Sequence, residues 1–264
     1  MPFNHRLPYV ADDVPADFRP TGLLIDLDGT LIDRKGRMSA RVAQAVKDAA
    51  QRVPVAIASG REPDDVSYFA RLLGLICPQV ADNGARIVDP ASGRTVHESP
   101  MPAAEARRIV GELEQRGLRY YAVDSGRVAR TVQEFSRWRV TVICAHAVER
   151  HVCETLIAGL TSELVGAVPS TDAGGGYWYA NFTLAGVSKG SGARYFSEAT
   201  GAAMPGIVAV GDSHNDLPMF AEAGLAVAMG HAKAEVKSAA RAVVGSLKQD
   251  GLAEAIERYV LSRL

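Results

Sequence analysis

Four short apolar runs constrain this chain more than any other feature: GLLIDL (22–27), VPVAIA (53–58), GIVAV (206–210) and LAVAMG (225–230). Each is too short for a buried helix and has almost no polar interruption, which suits a parallel strand covered on both faces. Helical patterns lie between them. Ser39 is placed to cap a helix whose apolar face is Val42, Val46 and Ala49. Pro63 starts another, with Val66, Phe69, Ala70 and Leu73 at helical spacing. GSGARYFSEATG, HNDLPMFAEAG and DGLAEAIERYVLSRL continue the alternation at the far end of the chain. Strand and helix in turn predict an α/β fold with a doubly wound, Rossmann-like parallel sheet and right-handed crossovers.

The middle of the chain breaks this rhythm. ARIVDPASGRTVH reads as a hairpin. After it the order is helix, strand, strand, strand, helix, strand, strand, which suggests an antiparallel sheet with helices on one face. The expected division is a first core segment, 1–84, an inserted α+β cap, 85–186, and a second core segment, 187–264. Asp172 to Gly176 is expected as a flexible loop in the cap. The first twenty residues carry four prolines and no apolar run, so they read as an extended arm rather than a signal peptide.

The acids at the strand ends carry the chemistry. Asp26 and Asp28 are two apart and would crowd negative charge at the carboxyl edge of the sheet, where α/β folds bind ligands. A divalent cation resolves such crowding, and Mg²⁺ suits an oxygen-only site. Asp28-Gly29 would also suit a hairpin turn, but RKGRMSARVAQAV after it reads as helix, not a returning strand. Ser59 and Gly60 follow the second strand, where a hydroxyl and free N–H groups suit a phosphate. Lys189 stands at a helix start, where a cation opposes the dipole unless an anion sits beside it. Asp212 follows a third strand, with Asn215 and Asp216 one turn later.

These residues resemble the haloacid dehalogenase-like phosphatase superfamily. DLDGT (26–30), Ser59 of ASGR, Lys189 of VSKG and GDSHND (211–216) match its four motifs. The long insertion between the second and third looks like the Cof-like subfamily. The resemblance implies that Asp26 is the nucleophile of an aspartyl-phosphate mechanism, with Asp28 as general acid and base. It implies Mg²⁺ on the Asp26 carboxylate, the Asp28 backbone carbonyl and Asp212. Ser59, the Gly60 amide, Lys189 and Asn215 would bind the phosphoryl oxygens, and Asp216 would orient Lys189 or a metal-bound water. Asn83, beside the hinge, is a candidate for substrate contact.

The implied activity is a Mg²⁺-dependent phosphatase for a small phosphorylated metabolite, a sugar phosphate by expectation. A phosphomutase, or a signalling module that accepts phosphate on Asp26, would use the same nucleophile. A net charge of −1 gives no case for nucleic acid, and no apolar run is long enough to cross a membrane. Cys77, Cys144 and Cys153 lack metal-site spacing and fit a reducing, cytoplasmic setting. In the cap, Tyr120, Tyr121, Arg137 to Arg139 and Tyr177 to Tyr179 are candidates for substrate recognition, while His146 and His151 read as structural or surface residues. Oligomeric state leaves no mark in the sequence.

Overall fold

A computed structural model describes residues 14–171 and 176–264. The N-terminal arm to residue 13, and Asp172 to Gly175 of the expected cap loop, lie outside the described residues.

The first segment runs β1 (Gly22–Ile25), α1 (Ala40–Ala50), β2 (Val55–Ile57), α2 (Pro63–Leu73), β3 (Gln79–Ala81), β4 (Arg86–Val88) and β5 (Thr95–Glu98). The middle contains α3 (Ala103–Gln115), β6 (Tyr120–Asp124), β7 (Arg127–Ala129), β8 (Val140–Val148), α4 (Arg150–Leu160), β9 (Val165–Thr171) and β10 (Trp178–Leu184). The last segment is α5 (Lys189–Thr200), β11 (Ile207–Gly211), α6 (Leu217–Glu222), β12 (Leu225–Ala228), α7 (Ala234–Ser238), β13 (Ala242–Val243) and α8 (Gly251–Tyr259).

Local chemistry sets the helix ends. The Ser39 hydroxyl accepts from the Val42 amide at 3.1 Å, and the side chain caps α1. Pro63 opens α2, Asp64 and Asp65 follow in its first turn, and Gly74 closes it in the left-handed conformation.

The five strands β13-β12-β11-β1-β2 form one parallel sheet. Alternate residues of β1 serve opposite faces. Leu23 and Ile25 join a cluster with α1, α2 and α8, while Leu24 joins one with α5, α6 and α7. The run is apolar throughout because both faces are buried. Burying each such leucine or isoleucine stabilises the fold by roughly 1.5–3 kcal/mol. This is the doubly wound core that the alternation predicts.

The middle forms an antiparallel sheet, β7-β6-β8-β10-β9. Tyr120, Ala122, Ile143, Ala145 and Phe182 pack with Ile109 and Leu113 of α3 and Leu156 of α4. Both helices therefore cover the same face, and the intervening side chains point the other way.

Two details depart from the sequence reading. The hairpin β4–β5 pairs with β3 rather than with the cap sheet, and Ile87 and Val88 are buried in the clusters of the parallel core. The packing boundary thus falls nearer Ser99 than Ala85. RVARTVQEF (127–135), expected as the second strand of the inserted segment, keeps only a short strand at Arg127–Ala129 before a tight helical turn. The described part of the arm, including Val14 and Phe18, packs against the core. No described helix is long and apolar enough to cross a membrane.

Candidate active site

Asp26 leaves the end of β1, its amide donating to Val210 at the end of β11 at 2.9 Å. The paired strands thus deliver Asp26 and the 212–216 turn to one edge of the sheet. The turn after β1 comes very close to the second segment. Gly29 has φ 88, and a Cβ there would lie 2.4 Å from Asp212 Oδ2. Glycine is required on both counts.

Lys189, the first residue of α5, enters between these acids. Its Nζ donates to Asp26 Oδ1 at 2.5 Å and to Asp216 Oδ1 at 2.6 Å. The other Asp216 oxygen accepts from the Asp212 and Ser213 amides, both at 2.9 Å. Lys189 and Asp216 are wholly buried, and Asp26 is 5% exposed. A capping box from Ser188 and Ser191 fixes the start of α5. The Asp82–Gly84 turn braces it from the other side, because Gly84 (φ 95) lies where a Cβ would be 2.0 Å from the Ser188 carbonyl oxygen.

Charge is unbalanced here. Burial, then the Asp216 charge, pushes the Asp26 carboxyl well above the ordinary carboxylate range, with Lys189 opposing. Burial likewise raises Asp216 against the pull of Lys189. Burial works against the Lys189 ammonium too, but Asp216 and Asp26 outweigh it and raise its proton affinity. Asp26, Asp212 and Asp216 can each offer an oxygen, all within 4.8 Å of one another. One lysine does not neutralise three carboxylates. Asp212 Oδ1 is buried without a hydrogen-bond partner, and His231 Nε2 lies 3.3 Å from the other oxygen. An all-oxygen cluster with excess negative charge and an orphaned carboxylate oxygen fits a hard divalent cation such as Mg²⁺.

Asp28 stands apart from this trio. Its carboxylate is held by Arg61, with Nη2 at 2.6 Å and Nε at 2.8 Å, and Arg61 also reaches Asp65 at 3.2 Å. The Asp28 side chain is 47% exposed and faces the same cavity as Asp26. Of the expected metal set, Asp26 and Asp212 therefore sit together, while the third neighbouring carboxylate is that of Asp216.

Ser59, Gly60, Asn83 and Asn215 line the cavity with the two acids. The Ser59 hydroxyl accepts from the Arg61 amide at 3.1 Å, and Asn215 Nδ2 donates to Asn83 Oδ1 at 2.9 Å. Asp82 and Asn83 have φ of 48 and 53. Two non-glycine residues in the left-handed region store strain, which the surrounding contacts hold in place beside the cavity.

The cavity has a volume of about 550 Å³. The uncovered face of the cap sheet contributes Tyr121, Cys144, His146, Ser170, Tyr179 and Asn181. Sequence reasoning missed His146, although the alternation Ile143, Cys144, Ala145, His146 already places Cys144 and His146 on the face opposite the helices. Of the other cap candidates, Tyr120 and Trp178 belong to the cap core, and Trp138 stacks on Phe135 beneath Arg107. Arg139 pairs with Glu98, and Tyr177 is exposed. His151 lies on the surface, 3.3 Å from Glu149.

A family model described as haloacid dehalogenase-like hydrolase matches residues 23–156 and 140–256. The chain is 31% identical over 231 residues to the phosphoglycolate phosphatase of Halorubrum lacusprofundi, covering 88% of this chain and 93% of that one. It is 28% identical to the pyridoxal phosphate phosphatase of Escherichia coli, covering 90% and 98%. Among solved structures, a haloacid dehalogenase-like hydrolase from Bacillus subtilis superposes with a TM-score of 0.81 at 22% identity, over 91% of this chain and 100% of that one. At that identity the likeness concerns the fold.

Proposed function

We propose that this chain, which belongs to the haloacid dehalogenase-like hydrolases and is a phosphatase, releases phosphate from a small phosphorylated metabolite, a sugar phosphate by expectation, through covalent catalysis at Asp26. The observation that carries the reading is the Asp26 carboxylate at the cavity wall, bonded to a buried ammonium and flanked by two more acids.

A carboxylate is a weak nucleophile, so positioning and neutralisation must supply the acceleration. Lys189 already lies on Asp26 Oδ1, which leaves Oδ2 to attack phosphorus in line. The Lys189 ammonium also meets the negative charge of the transferring group, and the Ser59 hydroxyl, the Gly60 amide and the Asn215 amide group cradle its oxygens. Asp216 holds Lys189 in place and tightens the turn that presents Asp212. Asp28 protonates the departing alkoxide and later takes a proton from the attacking water. Before substrate arrives its carboxylate is held by Arg61. Asp26, Asp212 and the Asp28 backbone carbonyl would hold Mg²⁺, which when bound supplies charge neutralisation between phosphate and nucleophile.

Turnover of p-nitrophenyl phosphate by Asp26→Asn tests this. Activity should fall at least ~10³-fold with the circular dichroism spectrum unchanged. Near-normal turnover would remove Asp26 from the role.

A further inference from the structure

The cap reaches the core at the turn that follows Asp212. Thr171 ends β9 and Trp178 opens β10, and the two are partners across the cap sheet. Both meet the 213–216 turn. The Thr171 amide donates to the Ser213 hydroxyl at 3.2 Å, and the Trp178 ring lies 5.0 Å from the His214 ring, tilted at 45°. Lys233, just before α7, brings its ammonium to 4.0 Å from the centre of the Trp178 ring. Arg150 of the cap stands 5.2 Å from the same ring. Packing and cation–π attraction thus join cap and core at a tryptophan that is only 7% exposed.

The two core segments that Trp178 touches have Asp212 in common. The 213–216 turn follows it directly, and the Asp212 and Ser213 amides both donate to Asp216 Oδ2. The other segment carries Lys233 and, two residues earlier, His231, whose Nε2 lies 3.3 Å from Asp212 Oδ2. One side chain of the cap therefore contacts both pieces of chain that surround this carboxylate. The His214 ring depends on that contact. Its Nδ1 is buried without a hydrogen-bond partner among the described residues, so no bond at that nitrogen fixes the ring, and packing on Trp178 does. Asp212 Oδ1 is buried without a partner in the same way, which leaves it to meet a cation. Trp178 does not line the catalytic cavity. Whatever it does for the reaction, it does through these turns.

We infer that Trp178 is a positioning residue for the cation site: with the cap seated, its contacts to His214 and Lys233 fix the two segments around Asp212, so that seating of the cap and binding of a divalent cation favour each other. The inference rests on the cation site proposed above. Coupling of this kind is reciprocal, so a cation held at Asp212 must also hold the cap.

The test is calorimetric titration of Mg²⁺ into the full chain without substrate, with the fold of each variant checked by circular dichroism. Trp178→Ala should bind Mg²⁺ at least ~5-fold more weakly than wild type, and Trp178→Phe, which keeps a ring, should fall between the two. The reverse arm needs no variant. In wild type, saturating Mg²⁺ should slow hydrogen exchange of the Thr171 amide by a similar factor, an effect that a merely structural tryptophan would not produce. If the alanine variant does not fold, the phenylalanine variant and the exchange measurement decide. Wild-type Mg²⁺ affinity in the folded variants, or Thr171 exchange unmoved by Mg²⁺, would overturn the inference and leave the cation site standing. No binding of Mg²⁺ by wild type would remove that site and the inference with it.

Discussion

Replacing Lys189 by methionine keeps the buried stem and deletes one positive charge from among three acids. The ammonium lies 2.5 Å from Asp26 and 2.6 Å from Asp216, with no exposure to solvent. Removing one partner of a buried ion pair costs about 3–5 kcal/mol, because the other charge stays buried and uncompensated. A domain of ordinary stability has about 5–15 kcal/mol to lose. The cost should depend on pH. Asp26 and Asp216 already sit above the usual carboxylate range and would rise further without the lysine. A raised acid holds its proton in the native state after the unfolded state has lost it, so stability falls as pH rises through that window. Urea unfolding followed by circular dichroism, in chelator at pH 5 and pH 8, should show the larger loss at pH 8. Mg²⁺ should restore part of it by binding the native cluster. Lys189→Met with Asp216→Asn should be less destabilised than the sum of the single changes. Turnover of Lys189→Met should fall by about 10²–10³-fold, as for loss of one charged stabiliser. A variant as stable as wild type at pH 8 in chelator, with kcat little changed, would refute the reasoning.

Two further outcomes follow from other parts of the structure. Burial pushes the Asp82 carboxyl to about 6 despite Arg86, so stability should decline by up to about 3 kcal/mol between pH 4 and 6. Asp82→Asn should flatten that decline in urea titrations, and an unchanged slope would contradict the assignment. Trp178 of the cap packs on the His214 ring at 5.0 Å and under Lys233 at 4.0 Å, both from the core. Trp178→Phe should weaken the cation–π contact by about 0.5–1 kcal/mol, so the cap opens about two- to fivefold more often. The Thr171 amide, which donates to the Ser213 hydroxyl at 3.2 Å across the same junction, should then exchange hydrogen faster. Unchanged exchange would show that this contact does not hold the cap.

The core was legible because its determinants are local. Leu23, Leu24 and Ile25 read as a strand without interruption since both faces of the sheet are covered, and the motif residues follow directly at strand ends. Lys189 drew notice from an unfavourable helix position, and the structure shows the acids that compensate it. What stayed hidden depends on distant pairing. Nothing near Asp28 announces Arg61, thirty-three positions away, as the group that holds its carboxylate. The 86–98 hairpin reads correctly as a hairpin, but its allegiance to β3 is a tertiary fact. His146 looked isolated because its neighbour, Tyr179, lies far along the chain and meets it across a bulge in β8. The left-handed turn at Asp82 and Asn83 likewise needs its surroundings to hold it.

The proposed attack by Asp26 is open to direct trapping. During steady turnover with Mg²⁺, rapid quenching and borohydride reduction should convert a phosphorylated side chain at position 26, and no other, to homoserine in the peptide mass spectrum. Normal phosphate release with position 26 unmodified would contradict the covalent mechanism.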